Sequence, residues 1–160
     1  MRAFGWIVIG VIFALPISAT AQALQFGSAA LDPSAPLEIS SDSLSIDEIT
    51  NSAELSGSVF IQQGAMALAA DQLRITYGAD SNLRSFAAKG AVRLENPPTV
   101  IQADEAFYDF ADEKIRLSGN VTVINGDSRV SAQTMAIDLR TGQASLRGQV
   151  RSQIKLAPKE

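Results

Sequence analysis

Five carboxylates fall within ten residues of the stretch ADEAFYDFADEKIRLSGNVTV, which begins at Ala103: Asp104, Glu105, Asp109, Asp112 and Glu113. Acids at this density could form an acid–base catalytic pair or supply oxygen ligands to a metal ion. Either role requires the side chains to converge on one point, so the elements that carry them decide the question. The chain contains no histidine and no cysteine, which removes the usual general base, thiol nucleophiles and the common transition-metal ligands.

The composition is that of one globular domain. The chain has 160 residues, of which 46% are hydrophobic and 19% charged, and its formal net charge is -4. A protein that binds nucleic acid through its backbone phosphates carries a basic patch, and this balance provides none. No nucleic-acid partner is therefore predicted.

The first 23 residues differ in kind from the rest. Arg2 is followed by an apolar run from Ala3 to Leu15 and then by small residues that end in Ala-Gln-Ala. This order is typical of a secretory signal peptide, and the run is shorter than the roughly 20 residues of a membrane-spanning helix. The sequence predicts a cleaved signal peptide over residues 1–23, a flexible leader over 24–37, one β domain over 38–154 and a tail over 155–160.

The domain repeats itself four times. An acidic or amide residue followed by alternating apolar residues begins each copy, at Asp42, Asp71, Asp104 and Gln133. A second element with a central glycine follows each start, at Gly57, Gly90, Gly119 and Gly148. Four copies of about 30 residues in register indicate one β supersecondary unit that is used repeatedly.

Each copy alternates with a period of two, which predicts half-buried strands. Leu73, Ile75 and Tyr77 alternate with polar residues, for example, but Leu73 lies an odd number of residues after the apolar Ala70. One odd step per repeat predicts a bulge or corner where the strand bends from one sheet to another. The repeated glycine, which falls at an inward position, predicts a bend or a close approach within the β core.

This repeat organisation predicts that the acids of residues 104–113 lie at corners, outward positions and turns. Asp104 is the corner residue of the third repeat, Asp109 faces outward, and Asp112 and Glu113 lie in the following turn. Alternation sends Asp109 away from the interior, so no catalytic residue, metal site or cofactor is predicted. A carboxylate-only glycosidase remains an alternative, although the pattern singles out no pair of acids for it.

The repeat motif resembles the OstA-like domain of the periplasmic lipopolysaccharide-transport protein family of LptA. The resemblance covers roughly residues 37–154 and is clearest in Ala70-Asp71-Gln72-Leu73, in Ala103-Asp104-Glu105-Ala106 and in the five residues from Leu117 to Val121. Gln133 in place of Asp and the Pro97-Pro98 interruption depart from the pattern. The resemblance implies an all-β fold, a twisted, V-shaped and open β-jellyroll of two antiparallel sheets. It also implies a non-enzymatic protein that carries lipopolysaccharide through the periplasm.

The inward positions predict a continuous apolar surface. An acyl chain buried against such a surface gains about 0.8 kcal/mol per methylene group, although the same side chains could simply fill a β-sandwich core. The predicted lipid-binding groove consists of Leu44, Ile46, Val59, Ile61, Leu73, Ile75, Tyr77, Val92, Leu94, Tyr108, Phe110, Val121, Val123, Met135, Ile137 and Leu139. Arg74, Lys89, Arg93, Arg116 and Arg147 fall at outward positions, so phosphate binding by cations is not expected to dominate affinity.

The resemblance implies the partners as well: the lipid A part of lipopolysaccharide, an inner-membrane LptC-like protein and an outer-membrane LptD-like protein. The unpaired edges, expected near residues 37–46 and 146–154, predict head-to-tail association into open-ended homo-oligomers. Besides the glycosidase, two alternatives remain. The chain could be a membrane-anchored, LptC-like component of the same pathway, or a structural β-repeat protein that polymerises.

Overall fold

The computed structural model describes residues 35–155, so the predicted signal peptide and most of the predicted leader and tail lie outside the described residues. The described chain is all β and forms one antiparallel sheet of ten strands. The strands are β1 (Leu37–Ser40), β2 (Ser43–Asp47), β3 (Ser52–Gln63), β4 (Met66–Tyr77), β5 (Leu83–Asn96), β6 (Thr99–Asp109), β7 (Lys114–Asn125), β8 (Ser128–Asp138), β9 (Gln143–Arg147) and β10 (Arg151–Gln153). From β3 to β8, each strand pairs with its sequence neighbours.

A break in the ladder interrupts every pairing among the six long strands. The register shifts between Ser56 and Val59 on β3, and equivalent shifts follow on β4 to β8. These shifts confirm the bulges that the odd steps in the alternation predicted. Each break divides its strand between two layers. The first layer holds residues 43–47, 52–56, 72–77, 83–89, 105–109, 114–118, 134–138 and 143–147. The second holds residues 37–40, 59–63, 66–70, 92–96, 99–103, 121–125, 128–132 and 151–153.

The two layers pack face to face through their inward side chains. In one core cluster Leu55 and Leu73 of the first layer meet Val59 and Val92 of the second. A second cluster joins the layers in the other half of the molecule, where Leu117 and Met135 meet Val121 and Val123. Apolar burial on both inner faces therefore holds the layers together, as in the open β-jellyroll that the family resemblance implied.

The repeated glycines form the corners between the layers. Gly119 and Asn120 both have positive φ, at 76° and 47°, and the same pair of conformations recurs at the other three repeat glycines and the residues that follow them. A Cβ atom at Gly119 would overlap the carboxylate of Asp104. The sequence predicted a close approach within the core, but Asp104 is exposed, so the approach occurs at the outer corner.

The same acid-to-glycine contact explains the spacing of the repeat. Asp42 lies against Gly57, Asp71 against Gly90 and Gln133 against Gly148, each one in the place where Asp104 lies against Gly119. Gln133, which departs from the acidic pattern, therefore occupies the same position with an amide. Each repeat therefore contains two corners in neighbouring strands. One corner lies at the acid or amide, and the other lies at the glycine.

Candidate functional site

An apolar cavity of about 280 Å³ lies between the two layers near the middle of the sheet. First-layer side chains of β5 to β7 face second-layer side chains of β1 and of β3 to β5 across it. Its lining contains Leu37, Ile61, Gln63, Met66, Leu68, Leu83, Phe86, Ala88, Leu94, Ala106, Phe107, Tyr108, Phe110, Ile115 and Leu139. Ligand sites are concave and mainly apolar with few polar groups, and this cavity has that character.

Three aromatic rings form one wall of this central cavity. Phe86 and Phe110 meet edge to face with ring centroids 4.9 Å apart, and the centroids of Tyr108 and Phe110 are 4.4 Å apart. Burial, together with the nearby carboxylates of Glu113 and Asp109, raises the pKa of the Tyr108 hydroxyl, so this side chain stays neutral at physiological pH. The wall therefore presents uncharged, mutually packed rings to the cavity.

The position of the cavity follows from one row of aligned side chains in the first layer. Cross-strand partners continue this row through eight strands: Leu44, Leu55, Leu73, Ala88, Ala106, Leu117, Met135 and Leu146. Six members are large, while the two directly opposed members on β5 and β6 are alanines. In the next row along these two strands, the opposed residues are Phe86 and Tyr108.

A second interior cavity, of about 410 Å³, opens at the end of the sheet formed by β1 and β2. Leu44 and Ile46 line it and are 58% and 69% exposed, although the sequence placed them on a sheltered inner face. The physical reason is their position on β2, which pairs with β3 alone among the described strands and so has no neighbour on its other side.

The sixteen predicted groove residues therefore fall into three groups. Five line the central cavity: Ile61, Leu94, Tyr108, Phe110 and Leu139. Four line the end cavity: Leu44, Ile46, Ile75 and Tyr77. The other seven line neither interior cavity and are almost fully buried: Val59, Leu73, Val92, Val121, Val123, Met135 and Ile137.

Sequence reasoning missed several residues of the central cavity. Phe86 and Leu83 follow a polar turn in which the alternation is interrupted, and Ala88 and Ala106 are small. A signal for the alanines was present, because they occupy the motif positions that are Leu or Met in the other repeats. An alignment of the four copies by residue size would have found them.

The charged side chains lie on the outer face, as alternation predicted for Arg74, Lys89 and Arg116. These three pair with Glu54, Glu105 and Asp112, and all six side chains are at least half exposed, so the pairs add little stability. A broader depression of about 610 Å³ crosses this outer face and includes Lys89, Glu105 and Arg116. It is larger than either interior cavity, but it is more open and more polar than the central cavity.

The five acids of the opening stretch take separate positions. Asp104 accepts a hydrogen bond from the Asn120 side chain at 2.8 Å, at the corner. Asp109 accepts the backbone N–H groups of Ala111 and Asp112 at 2.9 and 3.2 Å, which closes the β6–β7 turn. Among residues 35–155, no group of three or more acids is arranged to hold a metal ion. The acids thus shape corners and turns.

Nothing in residues 35–155 is a helix with the length and apolarity needed to cross a membrane.

Known proteins resemble this chain both in sequence and in fold. Residues 38–143, more than half of the chain, match the model of a family described as LptA/(LptD N-terminal domain) LPS transport protein. No curated protein matches the sequence. Among solved structures, the chain is similar to LptH, the LptA-homologous periplasmic component of the lipopolysaccharide transport device of Pseudomonas aeruginosa. The TM-score is 0.68 at 17% identity, over 79% of this chain and 99% of that one.

Proposed function

Because this chain belongs to the LptA/LptD N-terminal domain family of lipopolysaccharide-transport proteins, we propose that it carries lipopolysaccharide through the periplasm with the lipid A acyl chains sheltered between its two layers. In this proposal it also bridges inner-membrane LptC-like and outer-membrane LptD-like components. The observation that carries the proposal is the apolar cavity between the layers.

The chemistry of the interior favours acyl chains over a charged ligand. The central cavity is lined almost wholly by apolar side chains, with Gln63 and the neutral Tyr108 as its polar contributors. Burial of each methylene group contributes about 0.8 kcal/mol, so part of one chain already supplies several kcal/mol without any contact to a phosphate. The cations of the outer face are separated from this cavity by the sheet itself.

The first test is site-specific photo-crosslinking in cells that make lipopolysaccharide. A photoreactive phenylalanine analogue at Phe86 or Tyr108 is expected to trap lipopolysaccharide, because both side chains line the central cavity. The same analogue at the outward Arg74 or Arg116 provides the matched control, because these side chains lie on the outer face. Equal labelling on the two faces would contradict a sheltered path between the layers.

The bridging role is supported by the ends of the sheet. At one end Leu44 and Ile46 are exposed, and at the other Val150 and Ile154 are 51% and 64% exposed. Exposed apolar side chains on or directly beside edge strands favour strand addition by a similar domain. Such an addition would continue both the sheet and its apolar interior across the junction.

The periplasmic location rests on the predicted signal peptide at residues 1–23. N-terminal sequencing of the exported protein tests it directly. A start shortly after residue 21 or 23 supports a released carrier, whereas a retained Met1 would support the membrane-anchored, LptC-like alternative.

A further inference from the structure

We infer that the opposed alanines Ala88 and Ala106 create a seat for an acyl chain in the middle of the groove, and that the size of these two residues sets the length of chain the seat accepts. This inference rests on the proposed function and specifies where a chain is held and what limits its length.

The row of large side chains in the first layer is interrupted at the two alanines. Ala88 and Ala106 face each other across β5 and β6, with Leu73 on one side of the pair and Leu117 on the other. Replacement of a large aliphatic side chain by alanine leaves space that the surrounding structure fills only in part. The central cavity borders both alanines, so it occupies the space that two further leucines would fill.

The two core clusters meet at these alanines. Ala88 belongs to the first cluster, and Ala106 packs against both. The seat therefore lies at the junction of the two packed clusters, near the middle of the interior. Tight packing on either side supports the walls, so the space does not depend on a mobile loop.

The volume of the central cavity fits a stretch of an acyl chain. The cavity of about 280 Å³ corresponds to roughly nine water molecules at about 30 Å³ each, and a methylene group is of similar size. That is enough for a stretch of about nine carbon atoms of an acyl chain. The ring wall of Phe86, Tyr108 and Phe110 then covers one side of the seated chain.

The test replaces each alanine by leucine and measures binding with a dansyl-labelled undecanoic acid, displaced by saturated fatty acids of increasing length. For the unmodified chain, affinity is expected to rise with length and then level off once the seat is full. Leucine at either position adds three carbon atoms to the cavity. Ala88→Leu and Ala106→Leu are therefore expected to weaken the binding of long chains by roughly tenfold to a hundredfold and to shift the plateau to shorter chains.

Two control variants separate this effect from damage to the core. Ala70→Leu places the same side chain at a buried alanine that lines neither interior cavity, where overpacking is expected to lower the melting temperature. Ala136→Leu lies on the exposed outer face and is expected to change neither stability nor binding. Ala88→Leu should keep the melting temperature closer to that of Ala136→Leu than to that of Ala70→Leu, because the cavity accepts the added atoms.

The outcomes distinguish the inference from the proposed function. If the unmodified protein binds neither the fatty-acid probe nor lipopolysaccharide, the proposed function itself fails. If it binds them and both leucine variants keep the same affinity and the same length profile, only the alanine seat is overturned. Unfolding of both leucine variants would also overturn it.

Discussion

A single contact sets the geometry of each corner at the scale of residues. At the third repeat the exposed carboxylate of Asp104 fills the space beside Gly119, and Gly119 and Asn120 both lie in the left-handed region of φ. Glycine adopts that conformation freely, whereas other residues pay about 1–2 kcal/mol for it. The glycine is thus required twice, once for its backbone angle and once for the missing Cβ.

Gly119→Ala is therefore expected to destabilise the domain by more than the backbone term alone, by roughly 2–4 kcal/mol in the free energy of unfolding. Gly126 offers a matched control, since it also has positive φ, at 57°, but no atom lies within 4 Å of the position of its Cβ. Gly126→Ala should cost only about 1–2 kcal/mol. Urea unfolding of both variants measures the difference.

A double variant checks the cause. Asp104→Ala in the Gly119→Ala background removes the crowding carboxylate and should recover part of the lost stability. If the two glycine variants are equally destabilised, or the double variant recovers nothing, then the carboxylate does not constrain the corner.

At the scale of elements, the strands and their bends were predictable, whereas the cavity was not. The period of two and the odd step beside Asp71 depend on residues close in sequence, so the strands and corners were visible in the alternation. Ala88 and Ala106 are 18 positions apart in the sequence, and only the register of β5 and β6 brings them face to face. Sequence reasoning had no measure of residue size across strands, and it therefore treated the interior as uniform.

The end strands show a second limit of the alternation pattern. The pattern assigns an inner face to Ile46, and the structure agrees, but burial also requires a neighbouring strand. Because β2 has β3 on one side only among the described strands, this side chain remains 69% exposed. The period of two identifies which face of the sheet a residue lies on. It does not indicate whether the strand lies at the edge of the sheet.

This exposed edge leads to a prediction about association. Ile46→Glu should leave the melting temperature of the monomer nearly unchanged, because the side chain is mostly in solvent, and should weaken concentration-dependent self-association. Sedimentation velocity over a range of concentrations measures the effect. Phe60→Glu is the control, because Phe60 is 40% exposed on the outer side of β3, away from the first-layer edge. A strict monomer before substitution would contradict the bridging proposal.

At the scale of the whole molecule, the acids of three turns at the rim of the first layer share a lowered pKa. Hydrogen bonds from Thr50 and Ile49 lower the pKa of Asp47, those from Asn82 lower that of Asp80, and the backbone N–H of Thr141 leads the lowering at Asp138. Their folded pKa values lie below the usual 3.8, so the ionised forms stabilise the fold above that pH.

The stabilisation from these turns should be complete at neutral pH and should be lost as the pH falls below about 3.8, through the lowered pKa values. Asp138→Asn keeps an acceptor for the N–H groups of Arg140 and Thr141 but cannot titrate. Its melting temperature is therefore expected to fall less steeply than that of the unmodified protein between pH 5 and about pH 3. Parallel acid profiles of the two proteins would contradict a role for this carboxylate.

The pairing of each long strand with its neighbours in sequence also determines how the chain can reach this structure. Each hairpin closes a short loop, so the entropy lost in assembling the sheet is spread over many small steps. Among the strands of residues 35–155, no distant segment has to arrive before the rest can form, and a nucleus in any one hairpin can extend in both directions. A chain delivered in an extended form, N-terminus first, can therefore begin to build its sheet as soon as the first two long strands are available.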